Sequence, residues 1–345
     1  MKRSQMRYNA KGGVRLEQAE KSRSDMSEYY SQMDISMKEK VDSVAHFINT
    51  NTTDELVIYD IGTGTGMLVV SLYIILKSRN PELNLVIVGV DLMECSIEKA
   101  VENAQKNEVT RHAMDSGHIM FHLSNASDIN DPLLPKANYV IYSSILHEVY
   151  SYTEQQDESN ACSEIKRIKS VENAFDAAYG LLKPNGKVII RDFIRPEMSD
   201  EIVEVAFQKS KYLDICERFS SFVNDHRKDS RHYFLFTLVY PSCKTLHCFD
   251  GEYLVYETNL QTLYEFLYRK DYVKNWDVEL NERYGFWTET GVSTLLSTCG
   301  FRLESLRKYH NPWIMKNRMK NIYVYDKSGY VGIPYYQAVV LATKM

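Results

Sequence analysis

Three groups of residues in this chain could do chemistry. The first is Asp60-Ile61-Gly62-Thr63-Gly64-Thr65-Gly66, where an apolar run, Val57 to Tyr59, ends in a carboxylate and three glycines follow at alternate positions. A long apolar stretch then begins at Met67. A buried strand, a tight glycine turn and a helix start in this order wrap backbone around a nucleotide-like ligand. Leu85 to Asp91 is a second apolar run ending in a carboxylate, about one strand-helix-strand unit further on. An acidic residue at that distance meets ribose hydroxyls, because a carboxylate accepts two hydrogen bonds from a vicinal diol. The second group is His147-Glu148, just after the apolar run Tyr139 to Tyr142. An imidazole has an unperturbed pKa of about 6.5 and can take a proton from a hydroxyl. Glu148 could orient it or bind a cation. The third group, Arg191-Asp192, ends the apolar run Val188 to Ile190.

Each group also has a structural reading. Glycines cluster at turns that bind nothing. Asp91 could cap the helix that starts near Glu94. His147 could make a structural hydrogen bond to the next loop, and Arg191 with Asp192 could be an ion pair on a rim, worth little in stability.

The glycine spacing narrows the ligand. A dinucleotide fingerprint starting at Gly62 needs a small residue at position 67, where Met67 stands. The pattern D-x-G-x-G-x-G from Asp60 to Gly66 instead resembles motif I of the class I S-adenosylmethionine (SAM) dependent methyltransferases. Other segments resemble the same family in the expected order. His118 to Leu123 reads as a third strand, and Ser124-Asn125-Ala126-Ser127-Asp128-Ile129 resembles the family's G-D-A-x-D-L segment. Asn125 stands where the family has an acid that accepts from the adenine amino group. An amide oxygen can accept the same bond, and Asp128 either shares the task or closes an Asx-turn. Asn138 to Glu148 resembles the fourth strand and its turn, and Leu181-Leu182-Lys183-Pro184-Asn185-Gly186 with Lys187 to Asp192 resembles the "LLKPGG" turn and fifth strand. Thr288 to Cys299 reads as a helix with an N-cap threonine and Gly300 as its stop. Phe301 to Tyr309 and Tyr336 to Thr343 read as two last strands.

The resemblance implies SAM as cofactor, held by Asp60, Gly62, Thr63, Gly64, Gly66, Asp91, Leu92, Asn125, Ala126, Asp128, Ser143 and Ser144. It places His147, Glu148, Arg191 and Asp192 near the transferred methyl. The turn after the fourth strand, Ser143-Ser144-Ile145-Leu146, lacks the Asn/Asp-Pro-Pro-aromatic signature of methyltransferases that act on amino groups of DNA bases. The acceptor is therefore expected to be a hydroxyl or other heteroatom of a small molecule. The "RD" pair Arg191-Asp192 also resembles some RNA-base methyltransferases, as does His232-Tyr233-Phe234 with Thr237, so an RNA or tRNA acceptor is the second reading. A SAM-binding protein without methyl transfer is the third.

The expected fold is α/β: a seven-stranded, mostly parallel sheet with an antiparallel last strand, helices on both faces, and a mainly helical cap insertion. Residues 1–24 read as a flexible basic arm. Residues 25–195 read as the Rossmann-like core, entered by an apolar helical stripe from Met33 to Ile48 that could lie over the cleft with Tyr29 and Tyr30 at its start. Residues 196–286 read as the cap, rich in aromatics that serve mostly as core and in part as a pocket wall. Residues 287–345 return to the core.

The chain has 345 residues, 44% of them hydrophobic and 25% charged, as in an ordinary soluble globular protein. A net charge of −5 argues against a protein-wide grip on nucleic acid. A basic cluster near the end, Arg302, Arg307, Lys308, Lys316, Arg318, Lys320 and Lys327 around Trp313, reads as a solvated face or as a phosphate contact. Six cysteines show no zinc spacing. Cys243 and Cys248 with His247 lack a second pair, so no metal is expected, and the scattered thiols suit a cytoplasmic location. No secretory signal and no run long enough to cross a bilayer is visible. The tyrosine-rich insertion could equally be a surface between two copies of the chain.

Overall fold

The computed structural model describes residues 37–129, 132–152, 160–226, 235–242 and 251–345. The expected basic arm, Tyr29, Tyr30, His232 to Phe234, Cys243, His247 and Cys248 lie outside the described residues. The chain divides into two units: residues 1–192, 293–307 and 338–345, and residues 193–292 and 308–337.

The first unit is built on a seven-stranded sheet in the order β3-β2-β1-β4-β5-β12-β9. Its strands are β1 Leu56–Ile61, β2 Leu85–Asp91, β3 Ile119–Leu123, β4 Ala137–Ser143, β5 Leu182–Phe193, β9 Phe301–Tyr309 and β12 Gln337–Lys344. The sheet is mostly parallel with an antiparallel last strand, as expected. All six residues of β1 are buried. A parallel strand covered by helices on both faces is mostly apolar, and in β1 only Asp60, beside the glycine turn, departs from that run. The helix Met67–Arg79 buries Leu68, Val69, Val70, Leu72, Tyr73 and Leu76. Between the "LLKP" segment and the straight part of β5, Ala137 pairs with Leu182 but Tyr139 with Lys187, so the chain bulges there. Asn185 takes a left-handed φ of 60° in that bulge, a conformation asparagine tolerates better than most residues. The helix Glu289–Thr298 follows Thr288, whose hydroxyl accepts from Gly291 N–H at 3.1 Å, and Gly300 at φ +80° ends it.

The strand pairings explain why the candidate residues gather. β1 runs parallel to β2 and to β4, β2 to β3, and β4 to β5. Their carboxyl ends therefore lie along one edge. The order reverses at β1, where β2 lies on one side and β4 on the other, and ligands of open α/β sheets bind at such a switch point.

The second unit adds a sheet to the expected helical cap. Helices supply much of it, notably Lys209–His226 and Leu260–Arg269, and they rest on a five-stranded sheet in the order β11-β10-β6-β8-β7. Its strands are β6 Ile202–Gln208, β7 Phe236–Val239, β8 Tyr253–Asn259, β10 Ile322–Asp326 and β11 Gly329–Tyr330, and β10 with β11, β10 with β6, β6 with β8 and β7 with β8 all pair antiparallel. The signal was period-two alternation: Val203, Val205 and Phe207 of β6 bury one face, and Ile322 and Val324 of β10 do the same. The boundaries differ as well. The unit starts at Phe193 and includes Lys308–Gln337, so the expected return to the core is interrupted. The core reading of the aromatics holds for Phe207, Phe219, Tyr256, Phe266 and Trp276, which share one buried cluster. Among the described residues no helix is long and apolar enough to cross a membrane.

Candidate active site

The glycine turn is held by the strand beside it. Gly62 and Thr63 donate their N–H groups to Val90 O at 2.8 and 2.9 Å. Gly62, Gly64 and Gly66 have φ of 72°, 52° and 70°. A Cβ on Gly62 would lie 2.4 Å from Ile145 Cγ1, and one on Gly66 would lie 2.6 Å from Ala100 Cβ. Only glycine serves at these two positions, because the backbone is left-handed and a neighbour already fills the space.

Two carboxylates brace this turn. Asp60 is 2% exposed and accepts from the Thr63 hydroxyl at 2.8 Å. Burial pushes its carboxyl up to about 7, with the nearby Asp91 adding to the rise and Thr63 and Lys40 opposing it. Asp91 accepts from Gly64 N–H at 2.8 Å and from Met93 N–H at 2.9 Å. Met93 is the N-cap of helix Glu94–Gln105 and makes no side-chain cap bond, so Asp91 braces the glycine turn and the entry to that helix together. Burial raises the Asp91 carboxyl, and the N–H groups of Met93, Gly64 and Leu92 pull it back.

Beyond β3, the Asn125 amide oxygen accepts from Ser127 N–H at 2.9 Å. Asn125 thus forms an Asx-turn of its own, and Asp128 is exposed. Leu92 and Ala126 are half-buried on the same edge of the sheet. At the end of β4, Ser143 Oγ is shielded from solvent with no hydrogen-bond partner among the described residues. A hydroxyl left so at the switch point fits a polar ligand group, as do the carboxylate of Asp91 and the amide of Asn125.

Ser144 follows at φ 58°, and its N–H donates to Arg191 O at 2.7 Å. Its hydroxyl accepts from Arg191 Nη1 at 2.9 Å. Next comes the short helix Leu146–Ser151 with His147 at its start. His147 is 3% exposed, and its Nδ1 lies 2.9 Å from Asp192 Oδ1. Asp192 Oδ2 accepts from the N–H groups of Leu146 at 2.9 Å and His147 at 3.3 Å.

Asp192, which sequence reasoning did not pair with His147, meets the His147 ring at Nδ1, and Glu148 is half-buried one residue along the helix. One expectation is corrected here. Arg191 and Asp192 are not an ion pair on a rim. Both are buried, and Arg191 bonds Ser144 and pairs with Glu39 at 2.7 Å. Adjacent residues on a strand face opposite ways, so one reaches Glu39 and the other His147. Glu39, on the helix Met37–Ala45, is a residue that sequence reasoning missed, since nothing in its spacing relates it to position 191. In the basic cluster, Lys308 pairs with Glu289 at 2.8 Å and Arg318 approaches Asp271 at 3.8 Å.

A glycine turn at the switch point of a 3-2-1-4-5 sheet, with an acid closing the next strand, defines a nucleoside-binding α/β domain. Residues 52–220 match the family described as a methyltransferase domain. Residues 52–220 thus form a methyltransferase domain of the class I SAM-dependent kind, with SAM as its cofactor.

Among solved structures, a SAM-dependent methyltransferase from Methanosarcina mazei is 14% identical, with 88% of this chain and 96% of that chain covered and a TM-score of 0.41. The pyocyanin biosynthetic protein PhzM is 11% identical over 96% of this chain, which spans 62% of that protein, with a TM-score of 0.45. The CcbJ methyltransferase from Streptomyces caelestis is 11% identical, with coverages of 90% and 95% and a TM-score of 0.42. No curated protein matches the chain.

Proposed function

We propose that this methyltransferase acts on a heteroatom, foremost a hydroxyl, of a small molecule, with His147 as general base. The observation that carries this reading is the buried hydrogen bond between His147 Nδ1 and Asp192 Oδ1 at 2.9 Å. Asp192 already accepts two backbone N–H groups, and in this reading its other oxygen accepts as well, from the proton on His147 Nδ1. The lone pair is then on Nε2, where it can take the proton of a hydroxyl. SAM, when bound, supplies a methyl already activated on a sulfonium, so the chain's own tasks are alignment and proton removal.

In this reading Asp91 accepts from the ribose hydroxyls, with Leu92 beside it. The backbone from Gly62 to Gly66 approaches the cofactor, with Asp60 and Thr63 fixing the turn. Asn125, Ala126 and Asp128 face the adenine, and Ser143 and Ser144 close the floor. Glu148 is left to contact the acceptor. Residues 193–292 are proposed to recognise the acceptor, supported by their place in the chain directly after Asp192. Hydrogen exchange on that segment should slow when the acceptor binds.

The test uses SAM with a labelled methyl and a panel of phenols, alcohols, amines and tRNA. Label on phenols or alcohols supports the proposal. Label on tRNA alone, weakening steeply with salt, would overturn it in favour of an RNA acceptor. Tight SAM binding without transfer to any member would favour a non-catalytic role.

A further inference from the structure

Two successive residues of the helix Met37–Ala45 reach toward the cofactor edge of the sheet. Lys40 is close enough to Asp60 to oppose the rise of its carboxyl. Glu39 Oε2 lies 2.7 Å from Arg191 Nη2, and the Arg191 side chain is only 2% exposed. The helix is fixed to the core by its buried residues Val41, Val44 and Ala45, and Arg79 Nη1 donates to Ala45 O at 2.7 Å. Glu39 is thus presented from a seated element.

What Arg191 does with its other end matters more. It donates to Ser144 Oγ at 2.9 Å while its carbonyl accepts from Ser144 N–H at 2.7 Å. Ser144 has a φ of 58°, a left-handed conformation that a non-glycine residue keeps only where its surroundings hold it there. The next residue, Ile145, occupies the space where a Cβ on Gly62 would stand. Two and three residues further along from Ser144, the N–H groups of Leu146 and His147 bind Asp192. The turn from Ser144 to His147 therefore packs on the glycine turn at one end and carries the histidine at the other.

We infer that Glu39 is a positioning residue for methyl transfer: by holding Arg191 it keeps Ser144 in its left-handed conformation and seats Ile145 against the glycine turn that binds SAM. A buried guanidinium that loses a charged partner either shifts toward solvent or drags its other contacts with it. Either movement loosens Ser144. Glu39 acts here on cofactor binding, so its test does not depend on whether His147 is the base.

The experiment compares the full chain with its Glu39→Gln and Glu39→Asp variants. SAM affinity is measured by calorimetry, and hydrogen exchange is followed across the chain. Glu39 is 19% exposed near the start of its helix, so the Gln variant is expected to fold. Glu39→Gln should weaken SAM binding about tenfold or more and speed exchange in the peptide that carries Ser144 to His147, leaving β1 to β3 unchanged. Glu39→Asp, which keeps the charge, should recover part of the affinity. Wild-type affinity in Glu39→Gln would overturn the inference. So would a loss accompanied by faster exchange through the whole core, which marks a merely structural residue.

Discussion

His147 Nδ1 and Asp192 Oδ1 lie 2.9 Å apart, with both side chains almost wholly shielded from solvent. The pair joins the turn after β4 to the end of β5. If His147 is the base, His147→Ala should lower kcat by about 10²–10⁴-fold while SAM affinity stays near wild type. Asp192→Asn should lower kcat in the same direction, because an amide can no longer demand the proton on Nδ1. The wild-type rate should rise with pH through the histidine titration, since only neutral imidazole accepts a proton. Retained kcat with lost acceptor affinity in His147→Ala would make it a binding residue.

Gly62→Ala tests the turn. The new methyl meets Ile145 at 2.4 Å on a backbone with φ of 72°. The left-handed conformation alone costs about 1–2 kcal/mol for an ordinary residue. Thermal unfolding should show a clear loss of stability, and calorimetry a loss of SAM affinity well beyond that of an exposed glycine such as Gly117, around which nothing lies within 4 Å.

Asp60 should make the first unit's stability depend on pH. Its folded carboxyl is raised to about 7, above the ordinary carboxylate value of about 4. The folded state therefore binds more protons than the unfolded one between those values, and stability falls as pH rises through that window. The contribution is complete below about 4 and gone above about 7. Asp60→Asn carries no such proton. Melting temperatures measured from pH 4 to 8 should fall less steeply for the variant, and equal slopes would count against the shift.

Arg269 tests the second unit. Its guanidinium is 2% exposed, pairs with Glu265, and donates to the carbonyls of Glu279, Glu265 and Glu282. Arg269→Met leaves the Glu265 charge buried without this partner, and breaking such a pair costs about 3–5 kcal/mol. Denaturant unfolding should report that loss, with partial recovery in Arg269→Met combined with Glu265→Gln.

The amino-acid sequence by itself determined the parallel half of the fold. Parallel strands buried on both faces read as near-continuous apolar runs, here each interrupted only by an aspartate at or near its carboxyl end, so Leu85–Asp91 was legible to the residue, and Leu56–Ile61 nearly so. The glycine turn was legible because left-handed backbone leaves few alternatives to glycine. The second sheet was obscured by short edge strands, Phe236–Val239 and Gly329–Tyr330, and by strand partners far apart in the chain: Val205 pairs with Tyr256 on one side and Val324 on the other. Only the tertiary structure decided which side chains meet at the site. In the sequence Glu148 was the candidate to orient His147, and strand register brought Asp192 to its ring by placing Ser143 opposite Arg191. Glu39 reaches Arg191 across a separation of 152 residues. Hydrogen bonds of that span depend on how elements pack, and no local spacing encodes them.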